Sequence, residues 1–237
     1  MTLTCLPSSD GSVANKMPLK QRSADENPNE IDLCDKGIAH LDDINKFAIP
    51  PSIANLSNLE ILNLFNNQIE ELPTSLSSMT KLKILNVGMN RLYTLPRGFG
   101  AFPALEVLDL TYNNLNDKSL PGNFFMMETL RALYLGDNDF EYVSAEIGQL
   151  KNLQILVFRD NDLIMLPKEI GQLSRLRELH IQNNRLTVLP PELGNLDLCS
   201  HRSVVRMEGN PWVPPIADQL QIGVSHVIEY IRSDTYK

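Results

Sequence analysis

The 237-residue chain carries 21 basic and 29 acidic residues, a net charge of −8, and 43% of its residues are hydrophobic. That content supports a continuous core, while an acidic balance with no dense Lys/Arg block argues against a nucleic-acid partner, because phosphate backbones are held by clustered cations. Three widely separated cysteines, Cys5, Cys34 and Cys199, match neither a disulfide framework nor a Cys-x-x-Cys metal knuckle and fit a reducing compartment.

In chain order, residues 1–28 are rich in Ser, Asn, Asp and Pro and are expected to be disordered. Their short apolar stretch at residues 3–6 lacks a basic start, and no run of 18 apolar residues follows anywhere, so a soluble cytosolic protein without membrane insertion is expected. Residues 29–58 read as a degenerate first repeat, with Ile31, Leu33, Ile38 and Leu41 as its apolar positions and Lys36 where an Asn belongs. The second half of a coil then runs from Ile49 through Ile53 and Leu56, and roughly one strand's length before Ile49 is missing.

From Leu59 the chain spells L-x-x-L-x-L-x-x-N-x-I-x-x-L-P, and the frame restarts at Leu82, Leu105, Leu130, Leu153 and Leu176. Six units over residues 59–198 define a leucine-rich-repeat solenoid. The x-L-x-L segment has period two, so Leu62 and Leu64 point inward while Ile61, Asn63 and Phe65 point outward on a parallel strand. The ninth-position asparagines (Asn67, Asn90, Asn113, Asn138, Asn161 and Asn184) are tolerable in an apolar stack only if their amides bond the turning backbone. Leu-Pro then fixes φ as the strand is left, and a short helical or irregular segment follows on the convex side. Two extra residues precede Leu120-Pro121, and Val143-Ser144 stands in for Leu-Pro in the fourth unit. Residues 199–237 form the C-terminal cap: Trp212 plugs the core, and Ile216, Leu220, Val224, Val227, Ile228 and Ile231 fall at the spacing of one amphipathic capping helix. The fold class is therefore α/β, a curved horseshoe with a parallel sheet on its concave face.

His40, His180, His201 and His226 have no carboxylate or Cys at metal-ligand spacing, and the chain contains no phosphate-binding loop, nucleophile elbow or dinucleotide fingerprint. No cofactor, metal or catalytic centre is expected. What remains is the outward face, where seven strands about 4.8 Å apart span roughly 30 Å. Exposed Phe65, Met89, Tyr112 and Tyr134 beside Arg159 have the composition of an interface centre, with Asp109 and His180 in the same rows. The Ile/Val row fits strand stacking equally well. Asp137, Asp139, Asp160 and Asp162 form acidic pairs able to attract a basic partner surface. The expected protein-binding residues are Phe65, Met89, Asp109, Tyr112, Tyr134, Asp137, Arg159, Asp160 and His180.

The segments FNNQIEELP, GMNRLYTLPRGFG, PALEVLDLTYNNLNDKSLPGNFF, RDNDLIMLPKEIGQL and RLTVLPPELGNLDL, with the cap NPWVPPIADQLQIGVSHVIEYIRSDTYK, closely resemble the Ras suppressor family over residues 49–237. The resemblance implies a cytoplasmic adaptor, monomeric on its own, at integrin (focal) adhesions. Its implied partner is the last LIM domain of PINCH, a zinc-bearing protein, and through it integrin-linked kinase and parvin, with a negative influence on Ras-dependent signalling. The family's basic tail is absent after Lys237. A second reading is direct regulation of a Ras-family GTPase or its effector kinase through the acidic outward residues.

Overall fold

The computed structural model describes residues 29–40 and 56–236. The expectations for residues 1–28, for Leu41, for the missing strand before Ile49 and for the half-coil from Ile49 through Ile53 lie outside them. Eight three-residue strands follow one another: β1 (Glu30–Asp32), β2 (Ile61–Asn63), β3 (Ile84–Asn86), β4 (Val107–Asp109), β5 (Ala132–Tyr134), β6 (Ile155–Val157), β7 (Glu178–His180) and β8 (Val204–Arg206). All pair in parallel and in sequence order, with like positions of the frame facing each other, as in Leu62↔Leu85↔Leu108. The degenerate first repeat joins this sheet. Its strand β1 pairs directly with β2, and Ile31, Leu33 and Ile38 extend the core. Glu30 faces Ile61 with no strand between them in the sheet.

The central residue of β2 through β7 is a leucine with no solvent exposure, as period-two alternation requires. Opposite the strands, short 3-10 turns run along the convex side at Thr74–Ser78, Phe99–Ala101, Phe124–Met126, Ala145–Gln149, Lys168–Gln172 and Pro191–Asn195. Pro73, Pro167 and Pro190 sit immediately before three of these turns in extended conformation. In the fourth coil Ser144 takes that place and its Oγ accepts a hydrogen bond from the Glu146 N–H at 3.2 Å, so a side-chain cap replaces the ring. The two extra residues of the third coil are absorbed around buried Ser119, which donates its hydroxyl to the Tyr93 carbonyl at 2.7 Å and accepts the Leu95 N–H at its own carbonyl.

The asparagines form the expected ladder, and its connectivity is uniform. Asn138 donates to the Leu135 carbonyl of its own coil (3.2 Å) and to the Leu110 carbonyl of the preceding coil (3.0 Å). Its Oδ1 accepts the Leu115 N–H of that same preceding coil at 3.0 Å. The same three bonds recur at Asn90, Asn113, Asn161, Asn184 and Asn210. At the N-terminal end Asn67 closes on Leu33, Lys36 and Ile38, so the coil without its own asparagine is capped by its neighbour's.

At the C-terminus the structure corrects the expectation of one helix. Gly223 adopts φ 155°, ψ 160°, a conformation open only to glycine, and breaks the segment into α1 (Pro214–Ile222) and α2 (Val224–Arg232). Ile216, Val227, Ile228 and Ile231 are fully buried against the last coil. Arg232 Nε donates to the Gly194 carbonyl at 2.8 Å, and the Tyr236 hydroxyl donates to the Leu189 carbonyl at 2.6 Å. Trp212 packs half-buried on the core with its indole N–H on the Met207 carbonyl.

Removing one rung leaves the buried Leu115 N–H without its acceptor and takes one of two amide donors from each of the Leu110 and Leu135 carbonyls, which Asn113 and Asn161 still serve. Asn138→Ala is expected to lower the unfolding free energy by roughly 2 kcal/mol in urea titration, whereas exposed Gln149→Ala on the convex side stays within about 0.5 kcal/mol. Equal effects of the two would contradict a structural ladder.

Candidate protein-interaction face

The residue before each ladder asparagine has a distinctive backbone. Asn66, Met89, Tyr112, Asp137, Asp160 and Asn183 all lie at φ between 52° and 55°, and Gly209 at 71°. This left-handed turn swings the chain out of the strand while its N–H still reaches the next coil: Met89 N–H donates to the Thr111 carbonyl and Tyr112 N–H to the Gly136 carbonyl. Asn, Asp and Gly tolerate that conformation; a bulky side chain pays roughly 1 kcal/mol or more for it. Met89 and Tyr112 occupy it nonetheless, in adjacent coils, with 46% and 45% of their surface exposed. Strain accepted at two exposed apolar positions, where five of the seven coils use a tolerant residue, marks a face selected for something other than stability.

The row one residue earlier explains how the large side chains lie. It reads Phe65, Gly88, Thr111, Gly136, Arg159 and Gln182. A Cβ on Gly136 would stand 3.0 Å from Arg159 Cγ, and a Cβ on Gly88 would stand 3.2 Å from Phe65 Cδ2. The two glycines are slots across which the side chain of the neighbouring coil lies flat. Arg159, on the fifth coil, crosses the fourth to reach the third: its Cζ is 5.3 Å from the Tyr112 ring centroid and Nη2 donates to the Tyr112 hydroxyl at 3.3 Å. Its Nη1 meets Asp137 at 2.6 Å and Asp160 at 2.7 Å, and Asp160 also accepts from Asn183.

Tyr112, Asp137, Arg159 and Asp160 are thus one cluster, with Met89 beside it in the next coil. Phe65 lies at the N-terminal end of the same face, half-buried. Tyr134, Asp109 and His180 belong to the strand surface and are only partly exposed, short of the free exposure expected for Tyr134. Burial pushes the Tyr134 hydroxyl and the Asp109 carboxyl up, the latter opposed by hydrogen bonds from Thr111. Burial likewise raises Asp137, with Arg159 opposing and Asp160 adding. His180 is pushed down by burial, against the pull of Glu178 at 3.1 Å. Part of the outward row is covered by its neighbours: Ala132 and Val157 are buried although their register faces out. The acidic pairs do not stand free, since Asp137 and Asp160 share Arg159 and Asp162 pairs with Arg185 at 2.8 Å. The glycine slots and Gln182, whose Oε1 is buried without a hydrogen-bond partner among the described residues, are the parts of the face that outward-residue counting passed over.

Family models for a leucine-rich repeat region and a leucine-rich repeat match residues 99–217 and 58–79. The chain is 66% identical over 236 residues to Ras suppressor protein 1 of Homo sapiens, covering 92% of this chain and 85% of that one, and 62% identical to the Mus musculus protein at the same coverage. The chain belongs to the Ras suppressor protein 1 family. Among solved structures, a leucine-rich-repeat protein of Leptospira interrogans is similar at 32% identity with TM-score 0.57, over 75% of this chain and 50% of that one. Internalin C2 of Listeria monocytogenes shares the fold at 23% identity and TM-score 0.64, over 80% and 76% of the two chains. The relatives make this a repeat protein of the interaction type, and the strained cluster of Tyr112, Arg159 and its two aspartates is where its inner face departs most from a bare scaffold.

Replacing Met89 with a residue that tolerates the left-handed turn removes strain at a site where nearly half of the side chain is already in solvent. Met89→Asn should raise the unfolding free energy by roughly 1 kcal/mol, seen as a thermal midpoint about 2–4 °C higher for a domain of this size; an unchanged or lower midpoint would refute the strain. His180 gives a pH signature. Its folded pKa lies below the unfolded value near 6.5, so the unfolded chain binds more protons in that range and the stabilising contribution, complete above pH 6.5, is lost as pH falls through the lowered folded value. Denaturant midpoints measured from pH 7.5 to 5 should decline less in His180→Gln than in the parent protein.

Proposed function

We propose that this protein is a non-enzymatic adaptor whose concave face binds the C-terminal LIM domain of PINCH. Through PINCH it joins integrin-linked kinase and parvin at cell-matrix adhesions in the cytoplasm, and from there it modulates Ras-dependent signalling. The family's name ties the chain to Ras suppression, and the LIM partner rests on the resemblance of its outward-facing segments to that family. The observation that carries the reading is the pair Met89 and Tyr112, exposed and held left-handed at positions where other coils place Asn, Asp or Gly. Next to them Arg159 lies across Gly136, pre-positioned by Tyr112, Asp137 and Asp160, so a partner meets an ordered guanidinium and aromatic surface and little side-chain freedom is lost on binding. Aromatic and Arg anchors at the centre of a patch are where interface energy concentrates.

Titration calorimetry with the purified, zinc-loaded LIM domain tests this. Tyr112→Ala and Arg159→Glu should each weaken binding by roughly tenfold or more, and Gly136→Ala, which displaces Arg159 without removing any contact atom, should weaken it in the same direction. Unchanged affinity in all three would sink the assignment of this face. The alternative of direct docking to a Ras-family GTPase would show instead as binding that depends on the bound nucleotide. It has less support, because Asp137 and Asp160 are already engaged by Arg159.

A further inference from the structure

Beyond the concave face, the flank taken up after each ladder asparagine changes character along the solenoid. In the first two repeats its twelfth and thirteenth positions are Glu70, Glu71, Tyr93 and Thr94, and the Tyr93 hydroxyl is held by the Glu71 carboxylate. In the last three they become Glu141 and Tyr142, Ile164 and Met165, Thr187 and Val188, of which Tyr142, Ile164, Met165 and Val188 are large apolar side chains exposed to between 41% and 54%. Tyr142, Met165 and Val188, the thirteenth residues of three successive coils, form a stripe, not the scattered exposure common on protein surfaces. The backbone beneath is extended and tied between coils: Tyr142 and Met165 form a parallel bridge, and the Ile164 N–H donates to the Glu141 carbonyl at 3.0 Å.

A cavity of about 250 Å³ opens beside Tyr142, floored by Leu120, Phe125, Phe140 and Phe158. It is lined by Leu120, Pro121 and Gly122, next to the two extra residues of the third coil, and by Val143 and Ser144, which stand in for Leu-Pro in the fourth. Small-molecule and cofactor sites run about 300–1,000 Å³, so this volume suits a single side chain better than a cofactor. The charged groups lining it are Asp117 and Glu146, and no Lys, Arg or His is among its lining residues. Asp117 Oδ1 accepts the Glu141 and Tyr142 N–H groups at 3.0 Å each, which fixes the mouth in an open, ordered form. Glu141 adds a further exposed carboxylate at the same turn.

We propose that this flank is a second docking site, taking a short segment of a partner protein in which a large apolar side chain is bracketed by Lys or Arg. The apolar residue enters the cavity and its neighbours lie along the Met165–Val188 stripe, while the cationic side chains meet Glu146 and Glu141. Charge complementarity selects this occupant over an acidic segment or a second copy of this acidic chain. Because the site does not share residues with the inner face, both can be occupied together, the arrangement an adaptor requires.

Display selection of short random peptides on the folded full-length chain, followed by fluorescence anisotropy with the enriched sequences, provides the test. The expected peptides carry one large apolar residue flanked by Lys or Arg, and bind roughly tenfold or more weakly to Glu146→Lys and to Met165→Ser while binding Tyr112→Ala normally. Both flank substitutions are at exposed positions, and unchanged thermal unfolding confirms that each variant is folded. Failure to enrich any peptide, enrichment of acidic peptides, binding that survives both flank variants, or loss with Tyr112→Ala would each overturn the proposal. Since the Tyr112 variant belongs to the inner face alone, failure here is distinct from failure of the LIM-binding reading.

Discussion

A single buried side chain, the asparagine at the ninth position of each repeat, sets the geometry on which everything else rests. A primary amide offers two donors and an acceptor in one plane, and here all are spent on backbone: two carbonyls, one from each of two coils, and one N–H of the preceding coil. No apolar residue could do this, and an aspartate would bring a charge into a dry stack. Because each rung ties a coil to its predecessor at a fixed offset, strands only three residues long hold parallel register across eight members, where isolated strands of that length would slip.

The same turn dictates what the inner face can present. To bring the asparagine inward the chain reverses hand at the preceding residue, and most coils meet that demand with Asn, Asp or Gly. Met89 and Tyr112 show the opposite choice, local stability surrendered for exposed apolar surface at fixed positions. Gly136 belongs to the same logic: it gives up a side chain so that Arg159 can lie two coils away against Tyr112. Stability sacrificed at neighbouring sites on one face is what the proposed binding surface requires of its scaffold. The salt bridges of Arg159 add little as stabilising pairs at partly exposed positions; their value is orientation.

The repeat frame, the ladder and the direction of the strands were legible from residues alone, since all three follow from periodicities of 23 and two and from the cost of burying an amide. The inner face was legible in outline, as Met89, Tyr112 and Arg159 stand in outward register. What could not be read is whatever depends on side chains crossing coils. Arg159 pairing with Asp137 and Asp160 involves contacts between coils that no local pattern encodes, so the acidic pairs looked freer than they are. Val157 is buried although its register faces outward. The left-handed row carried a signal in its Asn, Asp and Gly preference, visible only once the exceptions at 89 and 112 are weighed by their backbone. The break at Gly223 was likewise masked, because the apolar spacing on either side continues as though the helix were unbroken.

The most direct test of the inner face as the binding surface is to follow amide resonances of the labelled chain as the zinc-loaded LIM domain is added. The amides of Met89, Tyr112, Asp137 and Asp160, together with the Arg159 side-chain N–H, should show the largest changes. Perturbations confined to the convex 3-10 turns or the terminal helices, with those inner amides unmoved, would contradict the assignment.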